Sequence, residues 1–144
     1  RTASEAAQAL NRELFKRVNV HYNTGRKRPN QSLVESKALG MATCTGLSVI
    51  LVEACRAVGV PARAVGTPRW VNERGNHTWV EVWDGDWKFT GADEYDAAGL
   101  NRGWFTGDAA RAQADSRRYG IFATSWKRDG VTFPMVWALS LIHI

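Results

Sequence analysis

Cys44, His77 and Glu94 are the side chains whose types and order could carry covalent chemistry. A cysteine thiolate attacks amide carbonyls, and an imidazole beside it takes and returns the proton. A carboxylate accepting a hydrogen bond from the ring fixes its tautomer and supports the imidazolium. The thiol opens the stretch "CTGLSVILVEACRAVGVP", the imidazole lies in "NHTWVEVW", and the carboxylate follows "DWKFTGADE".

The helix expected from Cys44 onward carries a wide apolar stripe of Leu47, Ile50, Leu51, Ala54 and Val58, extended by Val52 and Cys55. Only Glu53 and Arg56 are charged, so protein should surround it on most sides. Gly59 stops it and Pro61 prevents resumption. The first backbone N–H groups of a helix lack internal partners and its dipole is positive there, which favours a thiolate at Cys44. The same donors suit the oxyanion formed when sulfur attacks a carbonyl. Cys55, three turns later, reads as a small core hydrophobe. On one helix the two sulfurs are about 16 Å apart, too far for a disulfide.

Three histidines are available as the base: His21 beside Tyr22 near a helix end, His143 in the terminal stretch, and His77. In "NHTWVEVW" Thr78, Val80 and Val82 share one strand face, and His77, Trp79, Glu81 and Trp83 the other. A strand histidine is more often structural, but pairing with Cys44 makes His77 the leading candidate. Asp84-Gly85 signals a two-residue hairpin turn. It predicts that Trp83 pairs with Asp86, Glu81 with Lys88 and His77 with Ala92, placing Glu94 on the imidazole's face and turning Asp93 away. A bulge near Gly91 would exchange the two acids.

The remaining chain must build a support for these residues. "SEAAQALNRELFKRV" reads as an amphipathic helix capped by Ser4, with Ala7, Leu10, Leu14 and Val18 at helical spacing. A polar loop over 23–31 precedes "SLVES", a capping box from Ser32 to Glu35 that opens a short helix before Gly40. "ARAVGT" reads as a strand, and "GDAARAQADSRRY" as a short helix capped by Asp108. "IFATSWK" and "VTFPMVW" flank an Asp-Gly and predict a second hairpin. Helices followed by mainly antiparallel strands give an α+β class.

At 144 residues, 44% of them hydrophobic and 23% charged, the chain fits one ordinary globular domain spanning 1–144. No apolar run is long enough for a transmembrane helix. The chain opens on Arg1 without a signal-peptide pattern and closes on "WALSLIHI", where 138–144 reads as a doubtful tail. It is expected to be a fragment of a longer protein or precursor, which leaves the compartment open, an extracytoplasmic one included. The net charge of +5 comes partly from Arg26, Lys27 and Arg28 in "GRKRP", read as a solvated loop. No nucleic-acid signature accompanies it, so a nucleic-acid partner is not expected. Metal-ligand spacings and glycine-rich phosphate loops are missing from the sequence, so neither a metal nor another cofactor is expected.

"GMATCTGLSVILVEACRAVGVPARAVG", "NHTWVEVW" and "DWKFTGADE" together resemble the transglutaminase-like superfamily, specifically from Gly40 to about Glu94 and more loosely from Trp104 to Trp137. The resemblance implies a papain-like core, a buried helix carrying the Cys packed on an antiparallel sheet carrying the His. It further implies a Cys–His–acid order and thiol acyl transfer on a peptide or protein amide through a thioester, with the Cys44 thiolate held as an ion pair with protonated His77. Cys44, His77 and Trp79 match the family pattern directly. The acid departs from it: the family's Asp, four residues after the return-strand Trp, falls here on Gly91, which displaces the acid to Glu94 or Asp93, or removes it. Hydrolysis, as in a peptidase or amidase, ranks ahead of cross-linking.

Seven tryptophans are many for this length. Trp70, Trp79, Trp83, Trp87 and Trp104 would serve equally as a substrate groove or as core. Trp79 has an indole N–H to offer an oxyanion, and Gln31 could play the oxyanion-donor part, although it fits a solvated loop as well. The missing family Asp motivates a second reading, a catalytically silent module binding peptide or glycan through a Trp-rich groove. Substrate identity and oligomeric state are not legible.

Overall fold

The structure is a computed structural model that describes residues 1–128, 130, 131 and 133. Helix α1 (Ala3–Val18) starts from Thr2, not Ser4. The Thr2 hydroxyl accepts the Glu5 N–H at 3.1 Å, and the Glu5 carboxylate accepts the Thr2 N–H at 2.9 Å. Thr2-x-x-Glu5 offers this reciprocal pair, whereas Ser4 has Ala7 three residues on. The helix buries Ala7 and Phe15, with Leu10, Leu14 and Val18 half-buried against the same core.

Strand β1 (His21–Tyr22) pairs in parallel with β2 (Met41–Ala42), and α2 (Leu33–Leu39) lies between them in sequence. Ser32 and Glu35 form the expected capping box, and Gly40 closes the helix in the left-handed region at φ +68°. Then comes α3 (Cys44–Ala57), burying Leu47, Ile50, Leu51, Val52 and Cys55. Each large aliphatic buried in this way contributes roughly 1.5–3 kcal/mol.

Strands β3 (Ala62–Thr67), β4 (His77–Trp83), β5 (Trp87–Thr90) and β6 (Phe122–Ala123) form an antiparallel sheet in the order β5-β4-β3-β6. Val80 and Val82 face α1 and α3 in the main core. Polar contacts fasten α3 to β4: the hydroxyls of Thr45 and Thr78 lie 2.9 Å apart, and Ser48 donates to the Thr78 carbonyl at 3.2 Å. The other sheet face is covered too. Val65, Trp70, Trp79 and Phe105 make a second buried cluster there.

The β4–β5 register differs by one residue from the two-residue turn. Trp83 pairs with Trp87, Glu81 with Phe89 and Val80 with Thr90, leaving Asp84, Gly85 and Asp86 as a three-residue loop. Gly85 takes φ +83°, open to glycine without strain. The Glu81–Lys88 pairing that the two-residue turn predicts is not formed. Glu81 instead pairs with Arg63 on β3 at 2.6 Å, and Lys88 lies 3.6 Å from Asp86.

Helix α4 (Thr106–Ala109) is a single turn starting from the buried Phe105, with Asp108 inside it rather than capping it. The Ala109 N–H reaches the Phe105 carbonyl at 2.9 Å, so the anchored aromatic sets the start. β6 pairs with β3. Most of the strand expected opposite it in "VTFPMVW" lies outside the described residues, as do His143 and the 138–144 tail. Among the described residues no helix is long and apolar enough to cross a membrane.

Candidate active site

Helix α3 starts without a side-chain cap. The Thr43 hydroxyl, at the position that normally caps, donates instead to the Pro29 carbonyl at 2.9 Å. Its first-turn N–H groups therefore keep no acceptor from the cap residue, and Cys44 is the first helical residue beside them. A cavity of about 550 Å³ opens there, within the range of small-molecule and peptide sites. Cys44, His77, Glu94, Trp104, Asn76 and Arg26 are among the residues lining it. Cys55 is fully buried in the core, and burial raises its thiol to about 11.

His77 opens β4 and is only 5% exposed. Its ring sits among aromatics, with centroids 4.7 Å from Trp104 and Phe105 and 5.9 Å from Trp79. Burial pushes its pKa down to about 4, so the imidazole is neutral at neutral pH. Its Nε2 is buried and, among the described residues, meets no hydrogen-bond partner.

Glu94 lines the cavity, though not by the route expected. Strand β5 ends at Thr90 and the chain turns back, the Glu94 N–H bonding the Gly91 carbonyl at 3.2 Å with Asp93 in the left-handed region at φ +63°. A Cβ placed on Gly91 would collide with Glu94 Oε2. The Glu94 carboxylate thus fills the space into which a side chain at 91 would project, and glycine is what makes room for it. It does not accept from His77. Trp104 Nε1 donates to Glu94 Oε1 at 3.1 Å instead. Burial raises the Glu94 carboxyl above its ordinary value, the Trp104 N–H offsets part of this, and the Asp93 charge adds to it.

Asp93 also borders the cavity, but its Oδ2 lies 2.8 Å from His21 Nδ1. Asn11 holds this turn, donating to the Gly91 carbonyl at 2.8 Å and accepting the Asp93 N–H at 2.9 Å. An Asn on the buried face of an amphipathic helix was the available signal, and sequence reading passed over it.

Gln31 is not brought to the cavity. Its fully buried amide donates to the Met41 carbonyl at 2.9 Å and to Ser36 Oγ at 3.3 Å, while its oxygen accepts the Lys27 N–H at 2.8 Å. With both donor bonds made internally, it shapes the 27–31 loop and leaves nothing for an oxyanion. Trp79 is core: 4% exposed and stacked on Trp70 with centroids 6.2 Å apart. Among the described residues Trp104 is the tryptophan that lines the cavity, 64% exposed. Arg26, read as part of a solvated run, is half-buried in the cavity wall, while Lys27 and Arg28 are exposed as expected.

The sequence profile of the transglutaminase-like superfamily matches residues 1–109. The chain belongs to the transglutaminase-like superfamily. A crystal structure described as a "putative cysteine protease" from Cytophaga hutchinsonii matches this family member with a TM-score of 0.50 and 22% identity. That match covers 90% of this chain and 47% of the other, so the chain spans about half the length of its structural neighbour. No curated protein matches. The helix carrying Cys44, packed on the antiparallel sheet carrying His77, is a papain-like α+β fold of the kind cysteine enzymes use.

Proposed function

We propose that this domain is a cysteine-dependent acyl-transfer enzyme acting on amide bonds, with water as the usual final acceptor. The reading rests on one observation: the sulfur at an uncapped helix start and a buried imidazole line the same cavity.

In the resting site His77 is neutral, because burial disfavours the imidazolium. The favoured route is therefore general-base attack rather than a preformed ion pair. His77 takes the thiol proton as Cys44 Sγ adds to the amide carbonyl, and the first-turn N–H groups of α3 face the developing oxyanion. The resulting imidazolium returns its proton to the departing amine, the C–N bond breaks, and a thioester remains on Cys44. Water, deprotonated by the same imidazole, then releases the acid and restores the thiol; an amine in its place would give cross-linking. Glu94 is the acid of this scheme, its carboxylate occupying the space beside Gly91 where the family's acid would project. Held by Trp104, it acts on the ring through a rearrangement or through its charge alone.

A second reading, binding without turnover, draws on the Glu94–Trp104 bond, which leaves the ring without a carboxylate partner. A screen of amide substrates and thiol-directed acyl probes, on wild type and Cys44→Ala, separates the two. Ammonia or amine release that disappears in Cys44→Ala supports the enzyme, and added primary amine shows which acceptor wins. Ligand binding that survives Cys44→Ala, with no turnover by wild type, would reject it.

A further inference from the structure

We propose that Arg26 is a carboxylate-binding residue of the Cys44 cavity, so that the amide acted on carries a carboxylate close to the scissile bond. This rests on the acyl-transfer reading above. Among the described residues that line the cavity, Arg26 is the one guanidinium or ammonium group. Arg28, two positions on, is paired with Glu35 at 2.5 Å, whereas among the described residues no carboxylate pairs with Arg26. Its Nη1 donates to the Thr24 carbonyl at 2.7 Å, and its Nε–H is buried without an acceptor.

The carboxylates of the same cavity are bonded elsewhere, Asp93 to His21 and Glu94 to Trp104, and neither is paired with Arg26. A partly desolvated guanidinium without an anion is costly, and a carboxylate is the ligand that matches its fork geometry. The loop is also held in place relative to the nucleophile. Gln31 Oε1 accepts the Lys27 N–H, Asn23 N donates to the Ala42 carbonyl at 2.9 Å, and Thr43, the residue before Cys44, is tied to Pro29. Two carboxylates fit this chemistry: the α-carboxylate at a peptide's C-terminus and an acidic side chain beside the scissile bond.

Alkylating reagents test the assignment without a known substrate. Second-order rates of Cys44 modification are measured with N-bromoacetylglycine, N-bromoacetylaspartic acid α-amide and the neutral N-bromoacetylglycinamide. The proteins are wild type, Arg26→Met, Arg26→Lys and Lys27→Met, which removes one charge from the same loop outside the cavity. In wild type at least one anionic reagent should outpace the neutral one, and which of them does identifies the carboxylate. Arg26→Met should lower that preference about tenfold, the size expected of one charge-assisted hydrogen bond. The neutral rate should stay within about twofold, and Arg26→Lys should keep part of the preference. No anionic preference in wild type, an equal fall for all reagents in Arg26→Met, or the same loss in Lys27→Met would overturn the assignment. A Cys44 inert to all three reagents would sink the acyl-transfer reading itself, a result distinct from those.

Discussion

Helices α2 and α3 start close together in the chain and finish their N-termini in opposite ways. At α2, Ser32 and Glu35 close a reciprocal box that occupies the first donors. At α3, Thr43 has a hydroxyl that could cap, with Gly46 in place of the box's carboxylate, and it donates to Pro29 instead, so Cys44 follows an uncapped terminus. A capped start is a stability device worth about 1 kcal/mol. An uncapped one, beside a cavity that His77 also lines, leaves its first donors without a side-chain acceptor from the cap.

The largest expected effect concerns the two cysteines of α3. At pH 8 a thiol with a pKa near 11 is only about a thousandth ionised, and Cys55 is enclosed as well. Iodoacetamide should modify Cys44 at least about a hundred times faster than Cys55, read by mass spectrometry of the peptides. Equal slow labelling would show that the uncapped end confers nothing on its sulfur.

His77 should show itself in acid. As a buried neutral base it is protonated near pH 4 rather than its ordinary 6.5. The acid limb of the Cys44 reaction should therefore fall near pH 4, and His77→Ala should cost ~10²–10⁴-fold. Stability carries the same signature. The folded pKa lies below the unfolded one, so the unfolded chain takes the proton first as pH falls. Stability is whole above about 6.5 and declines towards 4, by up to about 3 kcal/mol. Denaturant titrations should show this slope in wild type and lose it in His77→Gln. A rate limb at 6.5 would mean that the ring is more solvated, or paired with a charge.

How much of this was visible in the residues follows from what range of interaction each feature needs. Helix α3, strand β3 and the α2 cap were legible because periodicity, Gly59–Pro61 and Ser32-x-x-Glu35 are local signals. The register at Asp84–Gly85–Asp86 was missed because a two-residue and a three-residue loop share the same Asp-Gly. Glu81, expected opposite Lys88, pairs instead with Arg63, which lies on another strand. Glu94 reached the cavity through a turn built on Asp93 and held by Asn11, a contact spanning most of the chain. Arg26 looked like its neighbours Lys27 and Arg28, since nothing local separates a solvated charge from one folded into a wall.

Giving α3 a cap should produce a smaller, more specific loss. Thr43→Asp places a carboxylate where the first-turn donors are free, competing for them and repelling a thiolate. Alkylation of Cys44 and any turnover should fall by about tenfold, as expected for charge placed at a helix terminus together with loss of oxyanion donors. An unchanged rate would remove the helix end from the mechanism and leave His77 alone to activate the sulfur.

The smallest effect belongs to the finished terminus. Ser32→Ala opens the α2 box, costs about 1 kcal/mol in denaturant unfolding, and leaves the Cys44 alkylation rate within about twofold of wild type. The distinction is a strict one, because α2 packs against α3 and the fully buried Ser36 of α2 accepts the Gln31 amide that braces the cavity loop. If Ser32→Ala slowed Cys44 as much as Thr43→Asp did, the two helix starts would be mechanically coupled through Gln31. Uncapping at Thr43 would then be one part of a shared scaffold rather than a local device for the sulfur.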